Sequence, residues 1–175
     1  DIPRHDKAAF AAMHKAGQLA AAILDRITPY VVPGVTTGAL DARLKKISGI
    51  VALFRQPSVI GVIKKQVAFP LISRLHGIPG DKKLEEGDIV NIDITVIVDG
   101  WYGDTSRMYL VGEKISAKAR RLVEVTYEAM MKGIAEVRAG ATLGDVGAAI
   151  QEHAEKNRFS VVRDFCGHGI GQVFH

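Results

Sequence analysis

Residues 89–105 constrain the fold more tightly than any other stretch of the chain. From Ile89 to Val98 apolar and polar residues alternate. Val90, Ile92, Ile94, Val96 and Val98 share one face, and Asn91, Asp93 and Thr95 the other. A period of two belongs to a strand with one face buried and one open. Asp99-Gly100 follows, a strong signal for a two-residue hairpin loop. With that loop, Val98 pairs with Trp101 and, three steps outward, Thr95 pairs with Asp104. Asp93 then lies one diagonal step from Asp104 on the same face, roughly 7–8 Å away between backbones. Two carboxylates aimed into one space resist ionising together unless a cation lies between them. The sharper reading is a shared divalent metal site; the blander one is a hydrated polar sheet face. Trp101, Tyr102, Met108 and Tyr109 on the second strand favour a central hairpin over an exposed flap.

The rest of the chain provides the setting of that hairpin. Its 175 residues, 47% hydrophobic and 24% charged, describe a single soluble globular domain, here expected as two similar halves. The net charge of +4 is modest but unevenly placed. Ala42 to Gly80 carries no acid, against Arg43, Lys45, Lys46, Arg55, Lys64, Lys65 and Arg74. Such a run is either a solvated face or a surface for nucleic acid, ribosomal RNA included. Cys166 is the only cysteine, so no internal disulfide forms and a reducing compartment is expected. No run reaches the ~18–20 apolar residues of a membrane span, and Asp1 to Asp6 is unlike a secretory signal. A cytoplasmic protein with no membrane partner is the expectation.

Four helices are expected: about Asp6 to Ile27, Thr36 or Thr37 to Ile47, after Ser116 to about Val137, and from the capping pattern Thr142-Leu143-Gly144-Asp145 to near Asn157. The links between them are related. Gly34-Val35-Thr36-Thr37-Gly38 and Gly140-Ala141-Thr142-Leu143-Gly144 share Gly, Thr and Gly at the same offsets. His-Gly-Ile recurs later in each half, at His76 and His168. Two matches in one order point to an internal duplication, with pseudo-repeats at about 6–110 and 116–175 in one domain. An α+β fold follows, two α/β halves related by a pseudo-twofold, with antiparallel strands under helices. The strands that would answer the hairpin in the second half are missing, so that half is expected to be incomplete. An open sheet edge near residues 159–165 is then a candidate for self-association.

Several stretches together resemble the type I methionine aminopeptidases, the pita-bread metallopeptidases. They are Ala16-Gly17-Gln18-Leu19-Ala20-Ala21, Tyr30-Val31-Val32-Pro33-Gly34, His76-Gly77-Ile78-Pro79, Gly87-Asp88-Ile89-Val90-Asn91-Ile92-Asp93, Gly103-Asp104-Thr105-Ser106 and Phe165-Cys166-Gly167-His168-Gly169-Ile170-Gly171. The resemblance runs from about residue 8 to 175. It implies a pita-bread fold and a centre of two divalent ions held by two aspartates, a histidine and two glutamates. Asp93 would bind one metal, Asp104 would bridge both and His168 would be a terminal ligand. The glycines flanking His168 suit free approach to a metal, and equally a tight turn. Carboxylate and imidazole ligands suit Co, Mn, Fe or Zn. Such ions acidify bound water and polarise the scissile carbonyl. His76 resembles the histidine that hydrogen-bonds the substrate amide, and His175 the one that contacts the substrate carbonyl.

Two departures from the family pattern are visible. The two glutamates fall beyond residue 175, which implies weaker binding, fewer metals and little activity for this chain alone. Ser48 to Leu75 contains no Tyr, Cys or acid, where the family carries the strands of its methionine pocket. Two functions follow as alternatives. One is a methionine aminopeptidase, a hydrolase that removes N-terminal methionine from nascent proteins. The other is a non-catalytic pita-bread module binding peptides, the ribosome or nucleic acid. A related peptidase cutting before proline would share the centre. Cys166 is expected as buried filler rather than a nucleophile, and Thr105 and Ser106 as strand caps or supports for Asp104.

Overall fold

The computed structural model describes residues 4–47, 59–63, 78–163 and 167–174. Four α-helices, one short 3-10 turn (Thr28–Tyr30) and three strands occur in it: α1 (Lys7–Ile27), α2 (Thr37–Ile47), β1 (Val59–Ile63), β2 (Ile89–Val98), β3 (Trp101–Leu110), α3 (Ala117–Ala135) and α4 (Leu143–Lys156). They fall into two compact units, Asp1–Ile115 with His168–His175, and Ser116–Gly167.

In the first unit the strands form an antiparallel sheet in the order β1-β2-β3. The β2–β3 register is the one the Asp99-Gly100 loop demands, with Thr95 opposite Asp104 and Asp93 opposite Ser106. Asp99 and Gly100 both have positive φ, at 51° and 82°. A loop with both central residues in that region matches the right-handed twist of the strands it joins. Val90, Ile92, Ile94 and Val96 are buried, whereas Asn91, Asp93 and Thr95 between them are only half-buried.

The buried face of the hairpin packs under α1. Ala16, Ala20, Ile23, Leu24 and Ile27 recur at helical spacing and are all buried. Each large member is worth about 1.5–3 kcal/mol of burial. Leu40 and Leu44 of α2 join the same core. Gly103 lets helix and strand approach closely: a Cβ there would stand 2.6 Å from the Ala16 carbonyl oxygen. The Tyr109 hydroxyl donates to the Leu24 carbonyl at 2.8 Å, and burial pushes its phenol above the usual range. Arg107 pairs with Asp25 at 2.6 Å on the same interface. Asp6 caps α1 by accepting from the Ala9 amide, and Thr36 does so for α2 from the Ala39 amide. The segment before β2 is tied to the start of α2: Gly38 donates to the Gly80 carbonyl, and Leu84 to Val35.

In the second unit α3 and α4 pack through Val125, Ala129 and Gly133 of α3. A Cβ on Gly133 would reach to 2.7 Å from the Ile150 side chain, so the missing side chain brings the helices together. Ser116 caps α3, and Thr142 with Asp145 forms a reciprocal capping box on α4. The related links noted in the sequence share backbone geometry. Gly34 and Gly140 have φ of 90° and 86°, and Thr36 and Thr142 each cap the helix that follows.

All four helices start within a residue of their expected positions. β1 falls within 48–75, where the family carries strands, but its own residues do not announce it: Val59-Ile60-Gly61-Val62-Ile63 is a short apolar run, and such runs do not distinguish strand from buried helix. Of the sheet edge expected near 159–165, the described residues 159–163 carry no strand. His76, His175, Cys166 and most of 48–75 lie outside the described residues.

Candidate metal centre

The open face of the hairpin carries the acidic residues. Strand alternation puts Asp93 and Thr95 on β2 and Tyr102, Asp104 and Ser106 on β3 on that face, opposite the side held by α1. Residues 168–174 are fixed to it by main-chain and aromatic contacts. The Tyr102 amide donates to the Gly171 carbonyl at 2.8 Å. Gly171 is buried, with His5 and Trp101 within 4 Å of where its Cβ would stand. Phe174 packs its ring against Tyr102 at 5.6 Å and against His168, edge-on, at 5.3 Å.

These contacts bring His168 Nε2 to 3.7 Å from Asp104 Oδ2. The His168 side chain is 32% exposed and that of Asp104 22%, so both face a partly shielded space. His168 Nδ1 lies 2.9 Å from the Gly169 carbonyl oxygen. A carbonyl only accepts, so Nδ1 carries a proton, and Nε2 is the ring nitrogen turned toward Asp104. That is the arrangement of a metal-ligating histidine. The other carboxylate oxygen, Asp104 Oδ1, accepts from the Thr95 hydroxyl at 2.8 Å. An imidazole nitrogen and a carboxylate oxygen therefore face each other at 3.7 Å, too far apart for a hydrogen bond. Two donors about 2.1 Å from one cation at 90–120° would stand roughly 3.0–3.6 Å apart. The donor pair fits a cation with little adjustment.

The structure brings Asp104 and His168 together and leaves Asp93 further along the same face. Among the described residues no three His, Cys, Asp or Glu side chains gather closely enough to hold a metal ion. Thr105 does not support Asp104. It pairs with Ile94 on the α1 side, whereas Ser106 pairs with Asp93 on the open side. The support comes from Thr95, which the register alone puts opposite Asp104. Phe174 carries no signal in its local sequence that would mark it as a neighbour of His168, and sequence reasoning missed it.

The profile of Metallopeptidase family M24 matches residues 11–175. A methionine aminopeptidase from Rickettsia prowazekii is 52% identical over 175 residues, covering 99% of this chain and 67% of the relative. The chain spans between 62% and 67% of the length of the curated relatives it matches. A crystal structure of the enzyme from Rickettsia prowazekii aligns with 100% of this chain and 71% of that one, at TM-score 0.88 and 49% identity. A Xaa-Pro dipeptidase from Bacillus anthracis covers 97% of this chain and 47% of its own at TM-score 0.79; at 22% identity it speaks for the fold alone. The mixed α+β architecture, antiparallel strands under helices, is the pita-bread fold of these peptidases. The relatives quoted are named as peptidases, which favours the enzymatic reading over the non-catalytic module. With the profile spanning nearly the whole sequence, the chain belongs to metallopeptidase family M24, among its methionine aminopeptidases.

Proposed function

We propose that this protein is a metal-dependent methionine aminopeptidase releasing N-terminal methionine from nascent proteins. The observation that carries the reading is the facing pair Asp104 Oδ2 and His168 Nε2, on the sheet face that also bears Asp93. Asp93, Asp104 and His168 would contribute three ligands, and the family resemblance puts two glutamates beyond residue 175. Divalent ions held there, Co, Mn, Fe or Zn, would supply Lewis acidity for amide hydrolysis. Asp104 would offer Oδ2 to the cation while Thr95 occupies Oδ1. Phe174 and Tyr102 would wall the site and limit water on that side. His76 and His175 are the candidates for holding the substrate amide and carbonyl. Residues 1–175 would form one domain of two pseudo-repeats.

No described helix is long and apolar enough to cross a membrane. A cytoplasmic site of action, with nascent chains as substrate and the ribosome as a neighbour, follows from the proposed reaction. Release of methionine from Met-Ala-Ser, with Mn²⁺ or Co²⁺ added, tests the reading. Chelator-sensitive release supports it. A folded chain that releases nothing and binds neither ion would overturn the metal centre. Binding without release would point to ligands supplied from outside these residues.

A further inference from the structure

We infer that Thr95 is a positioning residue for the metal centre, holding Asp104 so that one carboxylate oxygen is turned toward His168 and the cation. The inference deepens the proposed function and rests on that centre. Thr95 and Asp104 are cross-strand partners on β2 and β3, so their side chains leave the sheet side by side. The Thr95 hydroxyl donates to Asp104 Oδ1 at 2.8 Å, and Oδ2 is left 3.7 Å from His168 Nε2. An aspartate carboxylate turns readily about its last bond, a broad and roughly two-fold torsion. A donor fixed to one oxygen removes that freedom and selects the plane in which the other oxygen points. His168 is restrained in a comparable way, by the Gly169 carbonyl at Nδ1 and the edge of Phe174. Both halves of the facing pair are thus oriented by neighbours that grip them away from the atoms turned toward the cation.

Cobalt titration followed by visible absorption and calorimetry, with far-UV circular dichroism to confirm folding, decides the matter without any turnover assay. Thr95→Val keeps the shape and removes the donor; Thr95→Ser keeps the donor. The expected result is roughly 10–100-fold weaker Co²⁺ binding for Thr95→Val, the usual loss when a ligand's hydrogen-bond partner is removed. Binding by Thr95→Ser should stay within about three-fold of the parent, well below that range. Thr95→Ala carries the same test if Thr95→Val does not fold. Parent-like affinity in a folded variant lacking the hydroxyl overturns the inference and leaves the metal centre standing. Equal weakening in Thr95→Ser also overturns it, since the hydroxyl would then not be the cause. A parent chain that binds no cobalt overturns both.

Discussion

Each of the two units holds a helix pair joined by a link with Gly, Thr and Gly at the same offsets, and the two bury their helices differently. In the first, α1 lays Ala16, Ala20, Ile23, Leu24 and Ile27 on the hairpin, and these residues lie in its core. In the second, α3 buries Val125, Ala129 and Gly133 at its contact with α4 and leaves Tyr127, Met130, Met131 and Ile134 exposed. Those four recur at helical spacing and would pass for a core stripe by pattern alone. Links of similar sequence therefore yield similar caps and turns, while burial depends on what lies beneath the helix. The hydrophobic core cluster and the candidate site both belong to the unit that has a sheet.

Truncations along the two stripes should show the largest contrast. Leu24→Ala in α1 is expected to cost about 2–5 kcal/mol, the range for a buried leucine. Ile134→Ala in α3, 55% exposed, should stay within about 0.5 kcal/mol. Urea unfolding of both variants checks this, and equal losses would break the comparison. Glycine replacements come next. Gly103→Ala sets a methyl against the Ala16 backbone, with an expected loss of about 1–3 kcal/mol. Gly147→Ala in α4 meets nothing within 4 Å and should gain up to about 1 kcal/mol from helix propensity. Thermal melts of the pair would sharpen the contrast between a strand pressed on a helix and a helix face with room.

The smallest effects belong to the α4 cap. Thr142→Ala should cost about 1 kcal/mol, read from the unfolding midpoint. The Asp145 carboxyl accepts from the Thr142 amide and hydroxyl, which holds its pKa below the usual 3.8. A carboxyl depressed in the folded state adds stability above its unfolded value, and that stability is lost as pH falls through the folded value. Helicity measured below pH 3.8 should therefore fall more steeply in the parent than in Asp145→Asn. Parallel falls in the two acid titrations would remove the capping box as an acid-sensitive element.

Much of the fold and half of the candidate centre are legible in the residues themselves. Asp6, Ser116 and Thr142 announce helix starts because a short oxygen-bearing side chain satisfies amides that the first turn leaves free. Asp99-Gly100 announces its hairpin because few residue pairs accept positive φ twice. From that loop the pairing of Thr95 with Asp104 follows by counting. What stays hidden has no local signal. β1 is an apolar run without a telling period, and nothing local in residues 168–174 shows that Gly171 joins Tyr102.

Local chemistry by itself determined where helices begin, where the chain reverses, and that two carboxylates share a sheet face. Those are nearest-neighbour properties, set by dihedral preferences and by the two periods of regular structure. Tertiary structure decided that His168, far along the chain, comes to Asp104, and that the apolar stripe of α1 is buried while much of that on α3 is not. Each depends on contacts between segments distant in sequence, whose pairing only the packed core selects.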